Sequence, residues 1–256
     1  MGERRRPGST AQANGAPDTP RGLTVRDLSF RFPDGTQALE DISLVLPPGL
    51  RGLVAGPNGA GKTVLGRLVA GLMHPTTGSV LIDGRPPGFH VGDQSPVGIV
   101  FQNPEHQLVG QTVWEDVLFG PENLGVSPGD AEARAREALE AMGLSSRRDE
   151  DPFVLSGGER RRLAIAGVLA MRPRLLFLDE PFSGLDYPSL KGLLNALESP
   201  ALQGLPVLVA THEIGTFLSR TDRLFVLRRG SLLYDGPPAP VVDRFEEWEL
   251  RPVGGL

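Results

Sequence analysis

The sequence predicts an α/β fold with a parallel-sheet core, an N-terminal antiparallel β subdomain and an inserted helical subdomain. Three observations predict it. Short, continuously apolar runs at residues 97–101, 175–178, 207–210 and 224–227 suit strands covered on both faces, as in a parallel sheet flanked by helices. Two strand-like segments near the N-terminus are separated by turn chemistry. Residues from about 104 to 172 carry helix signals instead.

Taken in order, residues 1–21 are Pro, Gly, Ser, Ala and Arg with almost no large apolar side chain, too little to offset ordering entropy. They read as a disordered tail, leaving 22–256 as one domain. Residues 23–32 and 42–46 are strand-like, with Pro33-Asp34-Gly35 as the turn after the first. Leu53-Val54-Ala55 reads as a buried strand and residues 64–72 as a helix, with a Gly-rich loop between them. Val80-Leu81-Ile82 ends at the turn pair Asp83-Gly84. Residues 112–119 form a short helix expected to stop at Gly120-Pro121. Ser127 and Pro128 have the chemistry of N-cap and first helical residue, and Gly143 follows that helix's end. Within it Ala135, Leu139 and Met142 recur at helical spacing, while Glu132–Arg136 and Arg136–Glu140 pair on the wet side. Arg228-Arg229-Gly230 before residues 231–234 reads as a closing hairpin.

Composition narrows the function classes. A chain of 256 residues can bury a substantial core. Its net charge of −5 argues against a nucleic-acid partner, which calls for a basic field. With no cysteine, disulfides and thiolate metal sites are excluded. No apolar stretch approaches the ~20 residues that span a bilayer. Behind Glu3-Arg4-Arg5-Arg6-Pro7 there is no apolar segment of the secretory kind.

Among the 26 Lys and Arg residues only Lys62 and Lys191 are lysines. Lys62 sits in Gly56-Pro57-Asn58-Gly59-Ala60-Gly61-Lys62-Thr63, the G-x-x-x-x-G-K-[ST] pattern of a phosphate-binding P-loop. A compact ammonium on a flexible stem suits reaching between phosphates as a point charge. The strand–loop–helix context aims backbone N–H groups and a helix N-terminus at the same anion. The segment is expected to bind a nucleoside triphosphate.

Two further motifs carry chemistry. Residues 175–180 are an apolar strand ending in Asp179-Glu180. A strand can end in solvated acids, but beside a P-loop Asp179 would hold Mg²⁺ and Glu180 would orient or deprotonate water. Leu155-Ser156-Gly157-Gly158-Glu159 contains a capping box, Ser156 with Glu159. Capping does not require Gly157 and Gly158, which weaken a first turn, so close approach of backbone to an anion is the competing reading.

These five residues resemble the signature of the ABC ATPases, and residues 23–236 follow that family's order. The resemblance implies Gly56 to Thr63 as Walker A, Gln102 as the Q-loop, residues 175–180 as Walker B, Ser183-Gly184-Leu185-Asp186 as the D-loop and His212 as the switch histidine. Phe32 stands where the family stacks an aromatic ring, usually Tyr, on adenine; the π-face survives the change. Glu159 stands where Gln is commoner; it adds negative charge near a bound phosphate and weakens engagement unless Arg160, Arg161 and Arg162 offset it. His74, His90 and His106 lack such context and read as surface residues. Val100-Phe101-Gln102-Asn103-Pro104-Glu105-His106-Gln107-Leu108 and the following Thr112-Val113-Trp114-Glu115-Asp116-Val117 resemble the ATPase subunits of energy-coupling factor importers of vitamins or transition-metal ions.

The resemblance implies a head-to-tail dimer with ATP between one chain's P-loop and the other's signature. Its partners would be a second ATPase subunit, a transmembrane coupling subunit and a solute-binding membrane subunit, with no nucleic acid. The place implied is the cytoplasmic face of the membrane. Lys62 and the loop would hold the phosphates; Thr63, Asp179 and Gln102 would organise Mg²⁺; Glu180 and His212 would handle water. Leu155, Ser156, Gly157, Gly158 and Glu159 would act in trans, with Asp186 nearby. A conventional ABC transporter, or a soluble ABC protein of translation or repair, is the alternative; the latter usually carries two cassettes or a long coiled-coil insert, absent from this sequence. Residues 107–119 follow Gln102, so Glu115 and Asp116 are placed to report nucleotide state to a membrane partner, with Trp114 as either anchor or core residue.

Overall fold

A computed structural model describes residues 21–88 and 97–250. The expected tail at 1–21 therefore lies outside the described residues except for Arg21, as does His90.

Strands β1 (Leu23–Arg31) and β2 (Gln37–Leu46) pair antiparallel, with Leu23 opposite Leu46. The chain then forms β3 (Arg51–Ala55) and helix α1 (Lys62–Val69), and returns to add β4 (Thr77–Ile82) to the free side of β1. That small sheet is ordered β2-β1-β4. After β5 (Val97–Val100) come three helices, α2 (Val113–Asn123), α3 (Pro128–Ala141) and α4 (Gly157–Ala170). The chain continues through β6 (Leu175–Asp179), α5 (Tyr187–Leu197), β7 (Val207–Thr211), the single turn α6 (Gly215–Leu218), β8 (Arg223–Arg228) and β9 (Ser231–Gly236). The large sheet is ordered β5-β6-β7-β3-β8-β9, parallel except for the β8–β9 hairpin.

The apolar runs are continuous because each strand feeds two cores in alternation. In β6, Leu175 and Phe177 face the core shared with α1 and the small sheet, while Leu176 and Leu178 face the core shared with α2, α3 and α4. Leu208 and Phe225 repeat the first choice, Val209 and Val226 the second. Residues 104–172 are helical throughout their ordered elements, and their apolar faces join one side of the parallel sheet in a single core.

Helix α2 differs from the expectation that it stops at Gly120-Pro121; it runs on through Pro121 to Asn123. Proline normally pushes the residue before it out of helical backbone by clashing with its Cβ. Gly120 has no Cβ to clash, and one built there would stand 2.7 Å from Met171 Cγ of the helix packed against it. The same glycine permits the proline and the close approach of α2 to the end of α4. Ser127 caps α3 as expected, accepting from the Asp130 N–H.

Register then places the site. Ala55 lies opposite Thr211, and Asp179 opposite Ala210. The carboxyl ends of β3, β6 and β7 therefore meet at one edge, where parallel sheets bind ligands.

Candidate functional site

Gly61 occupies the N-cap of α1 with φ +104, and offers no side chain to the helix. A Cβ there would stand 2.6 Å from Leu39 Cδ2 and would sit in left-handed backbone, so glycine is demanded twice over. The uncapped N–H groups of α1 are left for an anion. Lys62 opens that helix and is buried. Its Nζ donates to Gly56 O at 2.8 Å and Pro57 O at 3.2 Å, and stands 3.3 Å from Glu180 Oε1.

Glu180 follows β6 with φ +47, a left-handed conformation that costs a non-glycine residue about 1–2 kcal/mol. Its own N–H donates to Ala210 O at 2.7 Å, and this fixes the turn. The reversal sends Asp179 and Glu180 into different surroundings. Glu180 accepts from Thr211 Oγ1 at 2.8 Å, from the His212 N–H at 3.1 Å and from His212 Nδ1 at 2.9 Å. A carboxylate only accepts, so Nδ1 carries the hydrogen and Nε2 faces away from it. Burial pushes the Glu180 carboxyl up, but His212, Thr211 and the Lys62 charge outweigh it and hold the group below its ordinary value.

Asp179 stands the other way. Burial raises its carboxyl above the usual range, aided by the Glu180 charge and opposed by the Thr63 hydroxyl, which donates to Oδ2 at 2.8 Å. Its Oδ1 is buried with no hydrogen-bond partner. Thr63, Asp179, Gln102 and His106 line one hollow of about 310 Å³. An unsatisfied carboxylate oxygen, a hydroxyl and an amide at one hollow fit the all-oxygen preference of Mg²⁺.

A cavity of about 530 Å³ beside that hollow is lined by Phe32, Asn58, Lys62, Gln102, Glu180 and His212 among others. Phe32 is half-buried at its rim, edge-on to Phe30 at 5.1 Å. The structure thus brings the P-loop, Phe32, Gln102, Asp179, Glu180 and His212 to one place.

The signature residues lie elsewhere, at the start of α4. Leu155 is buried in the core, whereas Ser156 and Gly157 are exposed. The capping box is complete: Ser156 Oγ accepts the Glu159 N–H at 3.2 Å, and Glu159 Oε2 accepts the Ser156 N–H at 2.9 Å. That N–H bond, with Arg147 Nη2 at 3.5 Å from Oε1, holds the Glu159 carboxyl below its ordinary value. Of Arg160, Arg161 and Arg162, the structure leaves one to offset Glu159. Arg160 pairs with Glu105 at 2.8 Å and Arg161 turns inward to carbonyls, so only Arg162 adds to Arg147. The two glycines also separate. A Cβ on Gly158 would stand 2.5 Å from Ser189 Cβ in α5, while one on Gly157 meets nothing within 4 Å. Asp186 is exposed and caps α5 by accepting the Ser189 N–H at 3.0 Å.

The stretch after Gln102 needs a second correction. Asp116 is buried, and its Oδ1 accepts the Val109 and Gly110 N–H groups at 2.6 and 3.0 Å. It fastens the loop to α2 and is no surface residue, unlike the exposed Glu115. Trp114 packs half-buried against the helical core beneath the Arg148 guanidinium, 4.2 Å from the ring centre. Sequence reasoning also missed Thr211 as a holder of Glu180. Its one signal was position, a hydroxyl between a buried strand and His212. His74 and His106 are exposed as expected.

With this geometry in view, a family profile described as ABC transporter matches residues 39–183. An energy-coupling factor transporter ATP-binding protein, EcfA, of Methanothermobacter thermautotrophicus is 41% identical over 232 residues, covering 89% of this chain and 74% of its own length. The cobalt import ATP-binding protein CbiO of Rhodobacter capsulatus is 41% identical, covering 86% and 80%. The solved structure of cbiO1 from Clostridium perfringens, described as part of the transporter complex cbiONQ, superposes with a TM-score of 0.77 at 32% identity, over 89% of this chain and 93% of that one.

Proposed function

The chain belongs to the ABC transporter family and is an ATP-binding ATPase, and from that premise we propose that it powers an energy-coupling-factor-type importer of a vitamin or transition-metal ion. It works as half of a head-to-tail ATPase dimer. A transmembrane coupling subunit and a solute-binding membrane subunit complete the importer, and the dimer docks peripherally on their cytoplasmic side. Among the described residues no helix is long and apolar enough to cross a membrane. Two relatives named for energy-coupling factor and cobalt import support the importer type.

The observation that carries the chemistry is Glu180, buried between Lys62 and His212 at the edge of the cavity that Phe32 lines. Lys62 is the movable member, an ammonium with three donors on a flexible stem. The β- and γ-phosphates of ATP compete with Gly56 O, Pro57 O and Glu180 for it. Once Lys62 turns to phosphate, Glu180 loses the cation that favours its ionised form, and its basicity rises as substrate arrives. Thr211 and the His212 N–H keep the carboxylate aimed, so it can orient water and take its proton. His212 Nε2 faces away from Glu180, 3.9 Å from Glu213 Oε1, and donates to the γ-phosphate when the ring is protonated. Phe32 offers its ring face to the adenine. Thr63, Asp179 and Gln102 would hold Mg²⁺, which supplies charge neutralisation on the phosphates when bound.

The signature end of α4 serves the partner chain's nucleotide. Gly157 is required neither by its backbone nor by packing within the chain, and its exposed face is open to approach from outside.

Glu180→Gln tests the assignment. Turnover should fall by ~10²-fold or more while ATP binding survives. ATP should then trap a dimer visible by size exclusion. Near-normal turnover in this variant would sink the role given to Glu180, and failure to co-purify with membrane subunits would sink the importer.

A further inference from the structure

Three consecutive arginines leave the first turns of α4 in three directions. Arg160 reaches Glu105, just beyond Gln102, and Arg162 Nε donates to Met142 O at 3.0 Å, at the end of α3. Arg161 alone turns inward. It is buried, and Nη1 donates to Pro181 O at 2.7 Å and Ser183 O at 3.0 Å, while Nη2 donates to Gln102 O at 3.0 Å.

No carboxylate pairs with it among the described residues, and its Nε is buried without a partner. Burial lowers the guanidinium below its ordinary range. A buried cation held by neutral carbonyls is poor value for stability; an apolar side chain would fill the volume at less desolvation cost. What distinguishes Arg161 is what it joins. Gln102 belongs to the metal hollow, and Pro181 and Ser183 directly follow Glu180. The root of the side chain is one turn from the exposed Ser156 and Gly157. A planar fork making three short bonds transmits displacement stiffly, which a point-charge ammonium cannot do.

We propose that Arg161 is a positioning residue that couples the two nucleotide sites of the dimer. ATP on the partner chain, closing on the Ser156–Gly157 end of α4, shifts the helix. Arg161 passes that shift to this chain's Gln102 and to the turn after Glu180. Each site then turns over efficiently only when the other is filled. The inference rests on the head-to-tail dimer proposed above.

The test compares ATP dependence of turnover in the wild-type chain, Arg161→Lys and Arg161→Met. The wild-type chain should show a Hill coefficient above one, bounded by the two sites of the dimer. Arg161→Lys should bring it to about one and lower kcat ~10-fold, with binding of a fluorescent ATP analogue by the monomer unchanged within ~3-fold. Unchanged cooperativity and kcat in a folded Arg161→Lys chain overturn the coupling and leave the ATPase reading intact. So does a loss of turnover that only tracks falling thermal stability at constant Hill coefficient. A wild-type chain without hydrolysis would instead sink the ATPase reading. Should both variants fail to fold, hydrogen exchange on Glu180→Gln decides. ATP must protect residues 102–105 and 181–183 together with 156–160, and protection confined to the P-loop overturns the proposal.

Discussion

The P-loop edge of the parallel sheet and the signature end of α4 both present a helix N-terminus, yet they are finished to different degrees. At the P-loop edge, polar groups from three distant segments pack against one another, and Lys62, Glu180, Thr211 and His212 already satisfy each other. At the signature end the capping box satisfies the helix, and Ser156 and Gly157 stand exposed with nothing built against them. The first region is preorganised within one chain, so that only Lys62 has to change partners when phosphate arrives. The second has the form of a surface waiting for a counterpart. Chemistry assembled in one chain and contact supplied by another is the division of labour this teaches.

The largest effect that sharpens the contrast is expected at Asp179. Asp179→Asn should cut Mg²⁺-dependent turnover by ~10²-fold or more. It should also raise the melting temperature of the nucleotide-free chain at neutral pH. The folded carboxyl lies above its ordinary value, so its ionised form costs stability above that raised pKa and nothing below the unfolded value of 3.8. The gain should therefore shrink as pH falls through the raised pKa. An unchanged or lower melting temperature at neutral pH would mean that Asp179 is not strained by burial.

A smaller effect separates the two glycines. Gly157→Ala should leave melting temperature and monomer ATP binding untouched while lowering turnover ~10-fold, because its added methyl meets only the partner. Gly158→Ala should cost ~1–3 kcal/mol of stability through overpacking against Ser189. The reverse assignment of effects would break the comparison, since it would make Gly157 a residue of the chain's own packing.

The mildest substitutions are expected in the loop after Gln102, at Asp116→Asn and Glu115→Lys. Asp116→Asn should stay within ~1 kcal/mol of wild type, because one amide oxygen can still accept the Val109 and Gly110 N–H groups. Glu115→Lys should be equally mild for folding. Asp116→Lys should destabilise by ~3 kcal/mol or more, leaving a buried cation and two lost bonds. Urea unfolding of the three variants measures this, and a stable Asp116→Lys chain would return Asp116 to the surface.

Much of the fold was legible because its causes are local. Apolar runs of four or five residues announce strands covered on both faces, and the Ser127-Pro128 start of α3 follows from capping chemistry. The P-loop could be read because its glycines and Lys62 are contiguous. Where local rules failed, a distant contact had changed their outcome. Gly120-Pro121 reads as a stop, but Gly120 lies against Met171, some fifty residues on, and the helix continues. Asp116 reads as a wet acid near a helix start, but two loop N–H groups and burial make it a structural acceptor.

The sequence by itself determined the class of sheet, the phosphate-binding loop, the paired acids at the end of β6 and the capping box of α4. Each is written in neighbouring residues, where backbone geometry and hydrogen-bond needs act over a few positions. Only the tertiary structure decided that Lys62 meets Glu180, that Gly158 and Gly157 answer to different surroundings, and that one of three adjacent arginines turns inward. Those outcomes depend on which strand ends come together and which groups lose water there. Burial and charge pairing are properties of the assembled space, and residues more than a hundred positions apart share them.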